Sequence, residues 1–312
     1  MITLDIKNIL ITGSTGYLGK SLYTHLRSRN YNVIGLHHKN KVKNQESVTG
    51  DLLDSVSLKK ALKDIDCIVH CGALVGGNWP KKNYEVNSKG TGNLINMTIE
   101  MKVQKIIHIS TLAVVDEYID HFNDDESIPY TRKYRNHYTQ SKIQAEKFVL
   151  ENKHKINSVI LRPGWIWGPG EKSFEQIVEM IKTDKFRFIG DGKNLTYFTY
   201  IENMTQIIEL ALKKDVSSGE IFNITDGEKI TMYEFINKIS NELSVKPVKR
   251  YVPVWAANTI AFFSEKLNPN SDLTRHNVSI MSNNLYFNID KAKRIFGYKP
   301  MNDLSCQIRK CL

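Results

Sequence analysis

The stretch Asn8-Ile9-Leu10-Ile11-Thr12-Gly13-Ser14-Thr15-Gly16-Tyr17-Leu18-Gly19 decides the fold. An apolar run breaks into glycines at every third position, and a helical pattern over 17–29 follows at once. Read as strand, turn and helix, Gly13 takes a tight turn and Gly16 lets the backbone approach a pyrophosphate seated on the helix N-terminus. Gly19 lets helix and strand pack closely. Thr15, Tyr17 and Leu18 complete the candidate cofactor turn. The position of the turn, directly after a first strand, gives this short pattern its weight.

Working outward, short apolar runs alternate with helical patterns. Strands are expected at 8–13, 32–36, 47–52, 66–73, 105–111 and 157–164, with helices near 55–64, 83–101 and 135–153. Continuous apolar strands between helices predict a parallel sheet covered on both faces. The fold class is therefore α/β: a Rossmann-type doubly wound parallel sheet with a smaller C-terminal α/β substrate lobe. The cofactor domain is assigned to 1–164 and the lobe to 165–312, with the chain crossing back to the first domain around 195–225.

The 312 residues suit one large α/β unit plus a lobe, and 41% hydrophobic with 24% charged residues is ordinary for a globular chain. The formal charge of +10 is carried by scattered Lys and Arg, so it reads as a basic surface that attracts an anionic cofactor rather than as a nucleic-acid site. No run of about 18 apolar residues predicts an integral membrane span. The opening residues 1–13 lack a signal-peptide pattern, so a cytoplasmic location is expected. Cys67, Cys71, Cys306 and Cys311 have no zinc-ligand spacing, and neither a disulfide framework nor a metal site is expected. The apolar helix candidate 253–268 is read as core or as a lid; a membrane-surface role would call for a strongly charged opposite face.

Two further groups carry chemistry. The second strand ends in Leu36-His37-His38-Lys39 without a carboxylate, which favours the 2′-phosphate of NADP over NAD. Tyr138 and Lys142 lie four apart at the start of a helix, on one face. A phenol titrates near 10, and a neighbouring ammonium lowers that value towards useful acid–base chemistry. Ser110-Thr111 ends the fifth strand, where ligands bind in such sheets.

With these motifs in order, the chain resembles the extended short-chain dehydrogenase/reductase family, within the epimerase/dehydratase superfamily. The resemblance implies roles for further residues. Asp51-Leu52 matches the pair beside the adenine ring, and Cys71 and Ala73 of His70-Cys71-Gly72-Ala73 match the stretch beside the nicotinamide ribose. Asn87 of Asn87-Ser88-Lys89-Gly90-Thr91 matches an asparagine that organises the site. Thr111 matches the catalytic hydroxyl, usually serine, with Ser110 as a second donor, and Pro163 lies in the Arg162-Pro163-Gly164 turn. Asn194 to Asn203 and Ile221 to Gly227 are similar to the 3β-hydroxysteroid dehydrogenase-like branch.

That branch implies hydride transfer at a CH–OH or C=O carbon of a hydrophobic substrate, steroid-like or of β-keto type. Tyr138, Lys142, Thr111 and Asn87 form the expected catalytic set. Trp165, Trp167, Phe198 and Trp255 either line a greasy pocket or form core. A nucleotide-sugar epimerase or dehydratase, and a non-enzymatic NAD(P)-binding sensor, are the alternatives. A homodimer is implied by the resemblance.

Overall fold

The computed structural model describes residues 6–39, 41–75, 80–116, 118–132, 136–268 and 273–312. The first five residues of the opening stretch, and position 135 where a long helix is expected to start, lie outside them. The chain opens with β1 (Asn8–Thr12), α1 (Tyr17–Ser28), β2 (Asn32–His37), β3 (Ser47–Thr49), α2 (Ser55–Ala61) and β4 (Cys67–His70). The helix expected at 83–101 is composite: α3 (Pro80–Asn83) passes through a π-helical turn (Tyr84–Lys89) into α4 (Gly90–Glu100). β5 (Lys105–Ile109), a 3-10 turn (Leu112–Val114), β6 (His121–Asp124), α5 (His137–Glu151) and β7 (Asn157–Pro163) follow.

Seven parallel strands make one sheet, in the order β3-β2-β1-β4-β5-β7 and then β11 (Glu220–Ile224). Successive strand residues face opposite sides. Ile9 and Ile11 thus join one core with Leu22 and Leu26 of α1 and with Ile207 and Ile208 of α7 (Ile201–Lys213). Leu10 joins the other, with Leu58, Leu94 and Val149 from α2, α4 and α5. Strand order reverses beside β1, so the ligand crevice opens at the carboxyl ends of β1 and β4.

The lobe is built from β8 (Trp165–Trp167), α6 (Lys172–Lys182), β9 (Phe188–Ile189), β10 (Phe198–Tyr200), α8 (Met232–Glu242), β12 (Tyr251–Val252), α9 (Val254–Leu267), α10 (Arg275–Ile280), β13 (Leu285–Phe287) and, beyond α11 (Asp290–Phe296), whose Ala292 and Phe296 return to the core of the large sheet, α12 (Leu304–Cys311). Three two-stranded parallel pairs hold it together: β8 with β10, β9 with β12, and β6 with β13. Within 165–312, α7 and β11 belong to the large sheet and its cover. Trp167 and Phe198 are core, packed with Phe174, Tyr200 and Phe235.

α9 departs from the core half of the expectation. Its buried positions are Ala257 and Ala261, while Trp255, Ile260, Phe262, Phe263 and Leu267 are exposed. A core helix buries its large apolar side chains; this one buries its small ones.

Candidate active site

The glycine turn is built as its spacing implies. Gly13 has φ +69°, and a Cβ there would lie 2.8 Å from backbone atoms of Gly72. A Cβ on Gly19 would lie 2.2 Å from Gly13 O, so the start of α1 presses directly on the turn. Gly16 caps α1 without a side-chain hydrogen bond, which leaves first-turn amides for an anion. The Ser14 hydroxyl donates to Leu36 O at 3.1 Å and ties the turn to β2. This cradle, shaped by missing Cβ atoms, fits a dinucleotide pyrophosphate. Tyr17 and Leu18 can contribute there through the backbone only: both side chains pack against the lobe core, and the Tyr17 hydroxyl is buried without a partner.

At the adenosine end, His37, His38 and Lys39 close β2. His38 Nε2 lies 3.2 Å from Asp51 Oδ2, so the basic strand end and the acid after β3 meet. Leu52 packs towards Gly72 and Gly90, where a Cβ would lie 3.5 and 2.9 Å from its side chain.

The candidate catalytic residues gather at the end of β5. Asn136 caps α5, accepting from Thr139 N at 2.7 Å, and so starts the helix that carries Tyr138 and Lys142. The Tyr138 phenol faces the Thr111 hydroxyl, which lowers its pKa. Lys142 Nζ is buried and donates to Ile109 O at 2.7 Å. Ser110 is buried with its hydroxyl unpartnered, in the polar position expected of a ligand donor. Burial pushes the phenol up to about 12 against the pull of Thr111. Burial also pushes the Lys142 ammonium down to about 8, against Glu146 and Cys71, which raise it. Burial is the larger influence on Tyr138 in this structure, and Lys142 gives one of its three donors to the Ile109 carbonyl.

Asn87 hydrogen-bonds neither reactive side chain. Its amide oxygen accepts from Leu74 N at 2.7 Å, and its Nδ2 donates to Leu74 O and to Ser141 Oγ, each at 3.0 Å. It pins the loop holding Cys71 and Ala73 to α5. Pro163 is buried at the end of β7, opposite Ile224 of β11.

Three features escape the motif reading. Glu146, four residues beyond Lys142, receives Arg162 Nη2 at 2.7 Å and the Tyr130 hydroxyl at 2.9 Å in a buried pair. Its spacing on the Tyr138–Lys142 face was the available signal. His108 is buried beside His70, ring centroids 5.3 Å apart, with neither nitrogen bonded. His70 joins a chain of hydrogen bonds. Gly72 N donates to Thr12 Oγ1 at 3.0 Å, Thr12 Oγ1 meets His70 Nδ1 at 2.6 Å, and His70 Nε2 meets Thr91 Oγ1 at 2.9 Å. Thr91 spends its own proton on Asn87 O at 2.6 Å, so it accepts from His70 Nε2–H. Burial holds His70 down to about 3, so it is neutral and Nδ1 accepts from Thr12.

The model of the 3-beta hydroxysteroid dehydrogenase/isomerase family matches residues 10–254. The chain belongs to this family. It is 32% identical to the decarboxylating sterol-4-alpha-carboxylate 3-dehydrogenase of Mus musculus, over 96% of this chain and 89% of that one. It is 27% identical to the 2-alkyl-3-oxoalkanoate reductase of Stenotrophomonas maltophilia, over 97% of each. Among solved structures, the UDP-glucuronic acid 4-epimerase of Bacillus cereus in complex with NAD superposes with a TM-score of 0.77 at 23% identity, over 97% of this chain and 96% of that one. That likeness is one of fold. Family membership makes the chain an NAD(P)-dependent oxidoreductase acting at a CH–OH or C=O carbon. No described helix is long and apolar enough to cross a membrane.

Proposed function

We propose that this chain is a cytoplasmic, homodimeric oxidoreductase that prefers NADP and acts on a hydrophobic alcohol or ketone, steroid-like or of β-keto type. The observation that carries the chemistry is the Tyr138–Thr111 hydroxyl pair at the end of β5, with buried Lys142 one helical turn away. The two hydroxyls hold the substrate oxygen, and Tyr138 gives that oxygen its proton or takes it. One Lys142 donor is engaged by Ile109, which leaves two for the nicotinamide ribose hydroxyls. When bound, the nicotinamide supplies or accepts the hydride. Gly13, Gly16 and Gly19 hold the pyrophosphate, and Ser110, Cys71 and Ala73 flank the nicotinamide end.

The NADP preference rests on His37, His38 and Lys39 closing β2 without a carboxylate. The hydrophobic substrate rests on relatives whose names give a sterol carboxylate and an alkyl oxoalkanoate.

Tyr138→Phe tests the centre. Turnover of a 3-hydroxysteroid or a long-chain β-keto ester is expected to fall roughly 10²–10⁴-fold, with NADPH affinity retained. Near wild-type turnover would overturn the role of Tyr138. Parallel calorimetric titration with NADPH and NADH tests the cofactor, and tighter NADH binding would reverse the assignment.

A further inference from the structure

One buried carboxyl on the segment leaving Thr111 has no part in the chemistry above. Asp116 follows Thr111 across the 3-10 turn and is 3% exposed. Its Oδ1 accepts from Tyr118 N at 2.8 Å, while Oδ2 is buried with no hydrogen-bond partner among the described residues. An unmade hydrogen bond on a buried acceptor is costly, more so on a group that can carry charge, so this atom calls for a donor from outside the fold. His121 does not fill the place. Its ring is stacked on Phe287 at 4.8 Å, its Nδ1 donates to Asp124 at 2.7 Å, and its Nε2 is itself unpartnered. Burial pushes the Asp116 carboxyl up, against the Tyr118 amide and the His121 ring, which lower it.

The backbone that carries Asp116 is tied on both sides. Two residues back, Val114 O accepts from Thr131 N at 2.9 Å. Four residues on, Asp120 Oδ1 accepts from Asn284 N at 2.7 Å, and Asn284 Oδ1 in turn accepts from Leu195 N at 2.9 Å. Two residues beyond Leu195 stands Tyr197. Burial pushes the Tyr197 phenol up, and the Asp116 carboxyl and the Tyr138 phenol push it the same way. Tyr197 is therefore within electrostatic reach of both, with the reacting end on one side and the carboxyl on the other. The walls here are apolar: Val115, Tyr197 and Phe287 share one buried cluster with Ile143 of α5, the helix that carries Tyr138. An apolar enclosure with one open acceptor suits a molecule that is greasy except for one donor.

We propose that Asp116 is a second recognition point of the substrate cleft, accepting a hydrogen bond from a hydroxyl that the substrate carries away from its reacting carbon. The hydroxyl follows from the chemistry of the place. A carboxylate or a phosphate dianion brings only acceptors to an oxygen that needs a donor. An ammonium would be stripped of water among Val115, Tyr197 and Phe287, at far greater cost than a hydroxyl. Resting on the hydrophobic alcohol or ketone inferred above, this makes the substrate a diol or a hydroxyketone. A site built to hydrogen-bond a hydroxyl discriminates against the analogue that lacks it, because its own polar group is then left unpaired.

Ketone binding to the full chain saturated with NADP⁺ tests this without turnover, because a ketone and an oxidised cofactor cannot react. The probes are matched pairs: ethyl 3-oxoalkanoates of graded length with and without a terminal hydroxyl, and androstan-3-one with and without a 17-hydroxyl. In at least one pair the hydroxylated member should bind roughly 10–100-fold tighter by calorimetry, the range of a hydrogen bond to a charged group. Asp116→Ala should abolish that advantage. Asp116→Asn keeps an acceptor for Tyr118 N and should shrink the advantage to roughly threefold, so it carries the test if the alanine variant does not fold. An advantage that survives both variants, or no advantage in any pair, would overturn the inference. If the plain members bind and the hydroxyl adds nothing, only this recognition point is lost and the oxidoreductase reading stands. If no member binds, both are lost.

Discussion

The two walls of the cleft are made of different material. The cofactor wall is bare backbone: Gly13, Gly16 and Gly19 work by the atoms they lack. The proposed catalytic wall is buried side chain: Tyr138, Lys142, Glu146 and Arg162 present polar atoms that the protein has desolvated. One wall is therefore sensitive to added volume and the other to an unbalanced charge.

The largest effect is expected on the catalytic wall. Glu146→Leu leaves the Arg162 guanidinium buried without its carboxylate and frees the Tyr130 hydroxyl. Breaking one partner of a buried pair costs about 3–5 kcal/mol, which urea unfolding would read as a lower midpoint. Replacing both partners removes the orphan charge, so Glu146→Leu with Arg162→Met should recover most of that loss. A double variant as unstable as the single would mean that the pair contributes packing rather than charge balance.

The cofactor wall should respond to one methyl group. At Gly19→Ala the new Cβ meets Gly13 O at 2.2 Å, so the turn or α1 must shift. A displacement on the order of 1 Å costs roughly 10²-fold at a site that depends on positioning. Turnover should fall by about that factor, NADPH affinity by calorimetry should weaken, and overpacking should cost about 1–3 kcal/mol of stability. Unchanged affinity would show that the wall does not depend on bare backbone.

This contrast also explains what could be read in advance. The cofactor wall is contiguous: strand, turn and helix succeed one another within 8–28, and each glycine has a local steric reason. The parallel sheet followed from the alternation of apolar runs and helices. Tyr138 and Lys142 were legible because a helix turns four-residue spacing into adjacency. Glu146 shares that face, but its meaning depends on Arg162 across the fold. His70 and His108 are register partners on neighbouring strands, and pairing register is not written in either strand alone. The lobe is harder for the same reason: β6 pairs with β13 across about half the chain. In α9 the apolar content was visible, but the alanines, not the aromatics, decide which side faces inward.

The smallest effect concerns the residue that joins the walls. His70 links Thr12, at the foot of the glycine turn, to Thr91 and through it to Asn87, which holds α5 at Ser141. The chain of donors requires a neutral ring. Burial depresses His70 to about 3 and His108 well below its ordinary value of 6.5. Above pH 6.5 neither the folded nor the unfolded state binds these protons, so stability is flat. As pH falls below 6.5, the unfolded chain takes up protons that the folded chain refuses. Each histidine then removes up to about 1.4 kcal/mol per pH unit, until His70 protonates in the fold near pH 3. His70→Gln keeps an acceptor for Thr12 and a donor for Thr91 but cannot titrate. It should flatten the acid limb of the wild-type stability curve by one proton's slope while cofactor affinity holds. His70→Leu should flatten the limb equally, but it leaves both threonine hydroxyls short of a partner at about 1–3 kcal/mol. It should also weaken NADPH binding and turnover together, since the turn and α5 are no longer tied. If glutamine and leucine behaved alike in cofactor affinity, His70 would be packing, and the two walls would be held in register by the sheet alone.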